Sequence, residues 1–145
     1  MNQDDRTKLV EKAEEAMQNS YRPDRGTKVG AAVMTPEGKV FGGCVVKTAN
    51  EGMGTCAERC AIYNAVAHGE QFFTAVAITS EKDTFFKPCG MCMQLLNEFA
   101  QHREENDMDI VMANGGETET VKLHDLIPET YGPEQKYEDP KYGTD

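Results

Sequence analysis

The first regular pattern along the chain is a set of apolar residues spaced three or four positions apart near its start. They are Leu9, Val10, Ala13, Ala16 and Met17. This spacing gathers apolar side chains on one face of a helix, so it predicts an amphipathic helix over this stretch. Polar residues that commonly cap helices precede it, and the candidates are Asp4, Asp5 and Thr7.

Short apolar runs farther along the chain are typical of strands. The runs at 29–34 and 39–46 flank a Thr-Pro-Glu-Gly turn and predict a β-hairpin. The remaining pattern predicts a helix over 56–68, a strand over 73–79, a helix after Pro88, strands over 109–113 and 118–121, and a short helix over 123–127. The order α-β-β-α-β-α-β-β indicates an α/β fold, a three-layer α/β/α sandwich with a mixed five-stranded sheet.

A chain of 145 residues is long enough for one domain with a substantial core. We expect that domain to span residues 1–133, because the tail at 134–145 is charged and poor in apolar residues. No apolar stretch is long enough to span a bilayer, and the first residues lack the apolar run of a signal peptide. We therefore expect a cytoplasmic protein with no membrane partner.

The balance of acidic and basic residues limits the kinds of molecule that the protein can bind. Acidic residues outnumber basic ones 25 to 15, which gives a net charge of −10. Such a surface repels a phosphate backbone, and no basic stripe interleaved with aromatic residues is visible. We therefore expect a small-molecule substrate rather than a nucleic acid polymer. The five cysteines, two of them in a CxxC pair, suit a metal in a reducing compartment better than a disulfide framework.

Two short motifs carry the candidate chemistry, Thr55-Cys56-Ala57-Glu58-Arg59 and Lys87-Pro88-Cys89-Gly90-Met91-Cys92. Cys56 and Cys89 each begin a predicted helix, where the partial positive charge favours the thiolate that a metal needs. Cys92 lies one helical turn after Cys89, so both sulfurs can face one point. Three thiolates can hold Zn²⁺ and leave a position open for water beside Glu58, as in catalytic rather than structural zinc sites. Arg59 could offset the thiolate charge by donating hydrogen bonds to sulfur.

The CxxC pair alone would fit a redox pair or half of a zinc knuckle equally well. Neither interpretation explains the third cysteine and the acid. Cys44 and Cys60 are expected to be small buried core residues rather than ligands. His68, His102 and His124 have no ligand-like spacing and are expected at the surface or at helix ends.

From about Tyr21 to Pro133 the chain resembles the small, three-cysteine, tetrameric cytidine deaminases. The resemblance rests on the two motifs above, on Val29-Gly30-Ala31-Ala32, on Phe41-Gly42-Gly43-Cys44 and on Leu126-Ile127-Pro128. It implies a cytidine deaminase-like fold, a homotetramer or dimer, and hydrolytic attack at C4 of a cytosine-type ring with release of ammonia. It also implies zinc held by Cys56, Cys89 and Cys92, with Glu58 as proton shuttle and Arg59 steadying the thiolates. The backbone around Ala57 and Pro88 would contact the pyrimidine.

The departures from the family fall where its members hold the sugar. Aligned without gaps, the chain has Val45 and Lys47 where the family has Asn and Glu, and Thr27 where an aromatic residue usually packs on the nucleoside. Loss of both residues that hydrogen-bond the sugar should weaken the binding of ordinary cytidine. The positive charge of Lys47 favours instead an anionic or modified cytosine nucleoside, such as blasticidin S. Alternatively, the register slips and Asn50-Glu51 supply the missing pair.

Three further interpretations stay open at the level of sequence. The first concerns Tyr131, which is expected either to cap a neighbouring subunit's pocket or to pack in the core. In addition, Lys87 stands where a small Ser is common in the family. The same scaffold could deaminate another amino-heterocycle. A non-catalytic, zinc-stabilised binding module is the third interpretation, although such a module has no need for Glu58.

Overall fold

The computed structural model describes residues 1–23, 26–100 and 107–128. Its regular elements are α1 (Gln3–Met17), β1 (Val29–Met34), β2 (Val40–Cys44), α2 (Ala57–Ala67), β3 (Ala75–Ser80), α3 (Gly90–Phe99), β4 (Asp109–Asn114), β5 (Glu117–Lys122) and α4 (Leu123–Leu126), with a 3₁₀ turn at Glu51–Met53. The predicted order of helices and strands is therefore confirmed.

The strands form one mixed sheet in the order β2-β1-β3-β4-β5. The central β3 is antiparallel to β1 and parallel to β4, and both edge strands pair antiparallel with their neighbours. The β1–β3 register places Val29 opposite Ser80. As a result, the segment before β1 and the loop after β3 leave the sheet side by side.

Side chains at alternate positions of the central strands belong to two separate hydrophobic cores, one on each face of the sheet, as expected for a sheet covered on both faces. On one face Ala32, Ala77 and Val111 pack with Leu9 and Ala13 of α1. The opposite face packs against α2 and α3, and its core includes Val33, Val76, Ile78, Ile62, Leu96, Ile110 and Phe73. The molecule is thus the three-layer α/β/α sandwich that the pattern predicted.

Most boundaries fall within one or two residues of the prediction, as for β3, which begins at Ala75 rather than at residue 73. Two differences have a visible physical reason. The cap of α1 is Asn2, whose side chain accepts a hydrogen bond from the Asp5 amide at 2.8 Å, so the candidates Asp4, Asp5 and Thr7 lie inside the helix. The second strand ends at Cys44 rather than at residue 46, because Val46 leaves the sheet and bridges Tyr21 and Thr55 instead.

A close contact between β2 and α2 fixes the position of the helix that begins the site. Gly43 of β2 lies directly under α2, and a Cβ built on it would come within 2.7 Å of the Ala57 carbonyl oxygen and of the Ala61 Cα. Only glycine permits this approach, since real side chains essentially never come so close to backbone atoms.

The expected tail at 134–145, Tyr131 and His102 lie outside the described residues. Within those residues, no helix combines the length and apolar character needed to cross a membrane.

Candidate metal centre and active-site cavity

The three cysteines predicted as ligands come together where the N-termini of α2 and α3 meet. Cys56 caps α2 and Cys89 caps α3, while Cys92 lies in the first turn of α3 and is fully buried. The ligand atoms of the three residues all lie within 4.8 Å of one another, and the Cys89 and Cys92 sulfurs are 3.4 Å apart. Zn–S bonds of about 2.3 Å at tetrahedral angles would place sulfurs about 3.8 Å apart, so the trio fits a zinc ion.

The backbone around the cluster shapes the acidity of its thiols. The Cys89 sulfur accepts a hydrogen bond from the Cys92 amide at 3.5 Å. Burial opposes ionisation of Cys89, but hydrogen bonds from the backbone of Cys92 and Met91 hold the pKa of its thiol below the ordinary value. At Cys92, burial raises the pKa of the thiol, and the nearby charge of Glu58 reinforces that shift. A divalent cation would favour the thiolate form of all three cysteines.

Glu58 lies beside the cluster but does not complete it. Its side chain is in the first turn of α2 and only 2% exposed. Burial raises the pKa of its carboxyl group, although hydrogen bonds from its own backbone and from Cys92, and the charge of Arg59, act in the opposite direction. Among the described residues, no His, Cys, Asp or Glu joins the three cysteines as a fourth member of the group. The cluster therefore offers three ligands and an open position, as catalytic zinc sites do.

Arg59 contacts the cluster from the other side. Its Nη2 donates a hydrogen bond to the Cys56 sulfur at 3.6 Å. This hydrogen bond raises the pKa of the Arg59 guanidinium, so the group remains charged. A cation that donates to a ligand sulfur orients the ligand and offsets thiolate charge.

A cavity of about 320 Å³ opens onto this group. Cys56, Ala57, Glu58 and Cys89 belong to its lining, and the other lining residues are Gly26, Thr27, Val29, Val45, Lys47, Lys82, Phe86 and Lys87. Its size lies at the lower end of the range for small-molecule sites. A buried acid, a potential metal centre and apolar walls thus share one small space.

Comparison with known proteins decides the family. Residues 3–104 match the family described as the cytidine and deoxycytidylate deaminase zinc-binding region. The chain belongs to this deaminase family. The matched residues include all three cysteines, Glu58 and Arg59. This membership confirms the resemblance found in the sequence and the prediction of a zinc-dependent hydrolytic deaminase.

Individual relatives agree in sequence and in structure. The deaminase is 30% identical to a cytidine deaminase from Sporosarcina psychrophila over 88% of this chain and 91% of the relative. It is also 30% identical to a blasticidin-S deaminase from Bacillus cereus, over 85% of this chain and 89% of that protein. The crystal structure of a cytidine deaminase from Burkholderia pseudomallei superposes with a TM-score of 0.77 at 34% identity, covering 90% of this chain and all of that one. These comparisons do not favour the alternatives over a cytosine deaminase, whether a modified or anionic cytosine nucleoside, another amino-heterocycle or a non-catalytic module.

The residues predicted to bind substrate do not all reach the cavity of the deaminase. Thr27, Val45, Lys47 and Ala57 line it, whereas Pro88 is buried between two lining residues and is not itself part of the lining. The alternative pair does not line it either. Asn50 caps the 3₁₀ turn by accepting a hydrogen bond from the Gly52 amide at 3.1 Å, and Glu51 lines an adjacent cavity.

Sequence reasoning missed four lining residues, Gly26, Val29, Lys82 and Phe86. Lys82 and Phe86 belong to the loop that follows β3 and line the cavity with Lys87. A loop carries no periodic pattern, so only the pairing of β1 with β3 reveals that it flanks the site. The proximity of this loop to the CxxC pair in the sequence was the one available indication.

The described histidines follow expectation, whereas the two remaining cysteines follow it only in not belonging to the metal group. Neither Cys44 nor Cys60 belongs to the group of cysteines that could hold a metal. Both are only partly buried, however, so the prediction of core residues is wrong. They lie on the surface formed by β2 and α2 and are close enough to hydrogen-bond to each other. His68 is exposed and caps the end of α2, and His124 lies in the short α4 beside Asp107 at 2.9 Å.

Proposed function

We propose that this deaminase converts a cytosine-type nucleoside to the corresponding uracil nucleoside and ammonia. The observation that carries the proposal is the burial of the Glu58 carboxyl beside three cysteines with an open position, at the end of a cavity of small-molecule size. Relatives named as cytidine deaminases support the cytosine ring as the substrate.

We propose Cys56, Cys89 and Cys92 as the zinc ligands. When bound, zinc acts as a Lewis acid that lowers the pKa of water and makes it a nucleophile at neutral pH. Cys56 and Cys89 lie at helix N-termini, whose partial positive charge faces the cluster, and the Arg59 guanidinium offsets the summed negative charge of three thiolates.

The role of Glu58 is to move protons at the reacting ring. Its carboxylate accepts a proton from the attacking water, delivers it to N3 of the pyrimidine and then assists protonation of the departing amine. A C4–O bond forms, the C4–N bond breaks and ammonia leaves, so one water is consumed and no electron changes hands. Burial keeps the carboxylate away from bulk solvent that would compete for the proton.

Replacement of Glu58 by Gln tests this proposal. The amide keeps the shape of the side chain but cannot accept the proton, so we expect kcat to fall by about 10²- to 10⁴-fold. Ammonia release from cytidine is measured for both proteins, with zinc content determined by elemental analysis as the control. If wild type and Glu58→Gln both hold one zinc and are equally inactive on cytosine compounds, the protein is a binding module instead.

Removal of the metal provides an independent test. Treatment with a strong chelator should abolish ammonia release and lower the thermal midpoint, because the ion ties two helix ends together. Addition of stoichiometric zinc should restore both properties. Full activity in protein shown by elemental analysis to be metal-free would contradict the proposal.

We further propose that the deaminase acts in the cytoplasm as a homotetramer. Its five free thiols suit a reducing compartment, and exposed apolar side chains at Met53 and Tyr63 suit a subunit contact. Under this proposal Tyr131 contributes to a neighbouring subunit's pocket, and residues 134–145 form a tail outside the domain. Light scattering coupled to gel filtration measures the subunit number, and a monomer at micromolar concentration would contradict the tetramer.

A further inference from the structure

Three lysines line the cavity that contains Glu58. Lys47 lies beyond the end of β2, and Lys82 and Lys87 lie in the loop between β3 and α3. All three side chains are exposed, whereas Glu58 is buried, so the lysines lie on the solvent side of the cavity and the reacting groups on its inner side. This arrangement places cations where the part of a substrate that extends away from the ring would lie.

The local charge is opposite to that of the whole molecule. The chain carries a net charge of −10, yet Glu58 is the only acidic residue among the described residues that line this cavity. The described part of the chain provides no ion-pair partner for Lys47, Lys82 or Lys87. Glu51 lines an adjacent cavity that shares Lys47, and Glu81 and Asp83 flank Lys82 in the sequence, but none of these acids lines the cavity with Glu58.

The rest of the lining offers little for a neutral sugar. Val29, Val45 and Phe86 are apolar, and Thr27 provides one hydroxyl group. Hydroxyl groups of a bound sugar gain specificity from side chains that hydrogen-bond with them, and such groups are sparse here. Three ammonium groups that have no ion-pair partner among the described residues instead match a phosphate or a carboxylate, which gains from each nearby cation.

We infer that the three lysines form a subsite for an anionic group carried by a cytosine nucleoside on the side away from its reacting ring. The anion can be a 5′-phosphate or a carboxylate, since both present charged oxygens to ammonium groups. This inference rests on the proposed function and adds the charge of the substrate to it. The relatives from Sporosarcina psychrophila and Burkholderia pseudomallei are named for cytidine, a neutral nucleoside, so the case for a charged group rests on the residues that line the cavity.

Binding to the Glu58→Gln variant measures the preference without turnover. Isothermal titration with cytidine, cytidine 5′-monophosphate and the 5′-carboxylic acid of cytidine gives three dissociation constants for the zinc-loaded protein. Exposed ion pairs contribute a few-fold each, so three lysines should make at least one anionic ligand bind about tenfold more tightly than cytidine at low salt. That advantage should shrink as ionic strength rises, because salt screens exposed charges. The two anions distinguish a phosphate subsite from a carboxylate subsite.

Matched variants test whether the preference for anionic over neutral ligands depends on the three lysines. In a Lys47→Gln/Lys82→Gln/Lys87→Gln protein, the ratio of anionic to neutral affinity should fall about tenfold, whereas the corresponding Arg triple variant should retain it. The control is Lys8→Gln/Lys12→Gln/Lys122→Gln, which removes the same charge from α1 and the edge strand β5. It should keep the ratio of the parent protein.

The outcomes separate this inference from the proposed function. If wild type releases ammonia from cytidine but neither anion binds more tightly, or if the Gln triple and the control change the ratio equally, the subsite is refuted and deamination stands. If wild type holds zinc and releases no ammonia from any of the three compounds, the proposed function fails and the subsite fails with it.

Discussion

Gly43→Ala tests whether the β2–α2 contact positions the active site. The new Cβ would lie 2.7 Å from the Ala57 carbonyl oxygen and from the Ala61 Cα, both of them backbone atoms that no rotamer change can remove. The Ala61 amide nitrogen would lie closer still. Ordinary contact begins near 3.4 Å, so relieving the 2.7 Å contacts alone (3.4 − 2.7) requires α2 to move by about 0.7 Å, and the nitrogen contact requires more. This displacement exceeds the roughly 0.5 Å within which catalytic groups must be held.

The energetic cost follows from overpacking. Forcing an extra methyl group into a close-packed contact costs about 1–3 kcal/mol. The lower entropy of alanine in the unfolded chain offsets about 0.4–1 kcal/mol of that. We therefore expect a net loss of about 1–2 kcal/mol, which lowers the thermal midpoint of a domain of this size by about 2–8 °C. Because α2 carries Cys56 and Glu58, kcat/KM per folded molecule should also fall by about tenfold or more.

Gly30→Ala is the matched control. A Cβ on Gly30 would lie 2.6 Å from the Cβ and amide nitrogen of Met17, so it displaces α1 on the opposite face of the sheet. We expect a similar loss of stability with zinc content and activity per folded molecule retained. Thermal unfolding, elemental analysis and ammonia release measure the three quantities. Wild-type stability in Gly43→Ala, or an equal loss of activity in Gly30→Ala, would refute the reasoning.

Two further substitutions probe the metal centre and the core. Arg59→Gln should weaken zinc binding by about 10- to 100-fold, as loss of a group that orients a metal ligand commonly does, and competition with a chromogenic chelator measures it. An unchanged zinc affinity would show that the Arg59–Cys56 contact does not support the metal. Phe73→Ala should destabilise the fold by about 3–5 kcal/mol, because Phe73 is fully buried and packs on Phe99 with ring centroids 5.6 Å apart. Denaturant unfolding checks this value, and a loss below 1 kcal/mol would contradict it.

The order of elements could be predicted because periodicity and turn residues agree along this chain. The apolar run at 29–34 became β1 without a shift of either end, and Gly69 adopts the left-handed conformation, with φ of 90°, that follows the end of α2. The boundaries that were missed depend on tertiary contacts. Val46 continues the apolar run of β2, yet its hydrogen bonds are made with Thr55 outside the sheet.

The metal centre could be predicted because local geometry determines most of it. Cys89 and Cys92 share one helical turn, and Cys56 and Cys89 both begin helices, so only the approach of two helix ends remained to be supplied by the fold. The cavity above it could not be predicted in the same way. Lys82 reaches the site because the β1–β3 register sets Glu81 beside Lys28, where the two backbones are joined by a 3.1 Å hydrogen bond.

Net charge and local charge answer different questions about the substrate. A charge of −10 argues against a nucleic acid polymer, because successive phosphates would extend past the cavity and meet acidic surface. A single anionic group does not extend that far. Screening confines each exposed charge to about 8–10 Å in physiological salt, so Lys47, Lys82 and Lys87, which line the cavity, act on this group more strongly than acids elsewhere on the surface do. Under the proposed subsite, an acidic protein excludes polyanions and still selects one small anion at its active-site cavity.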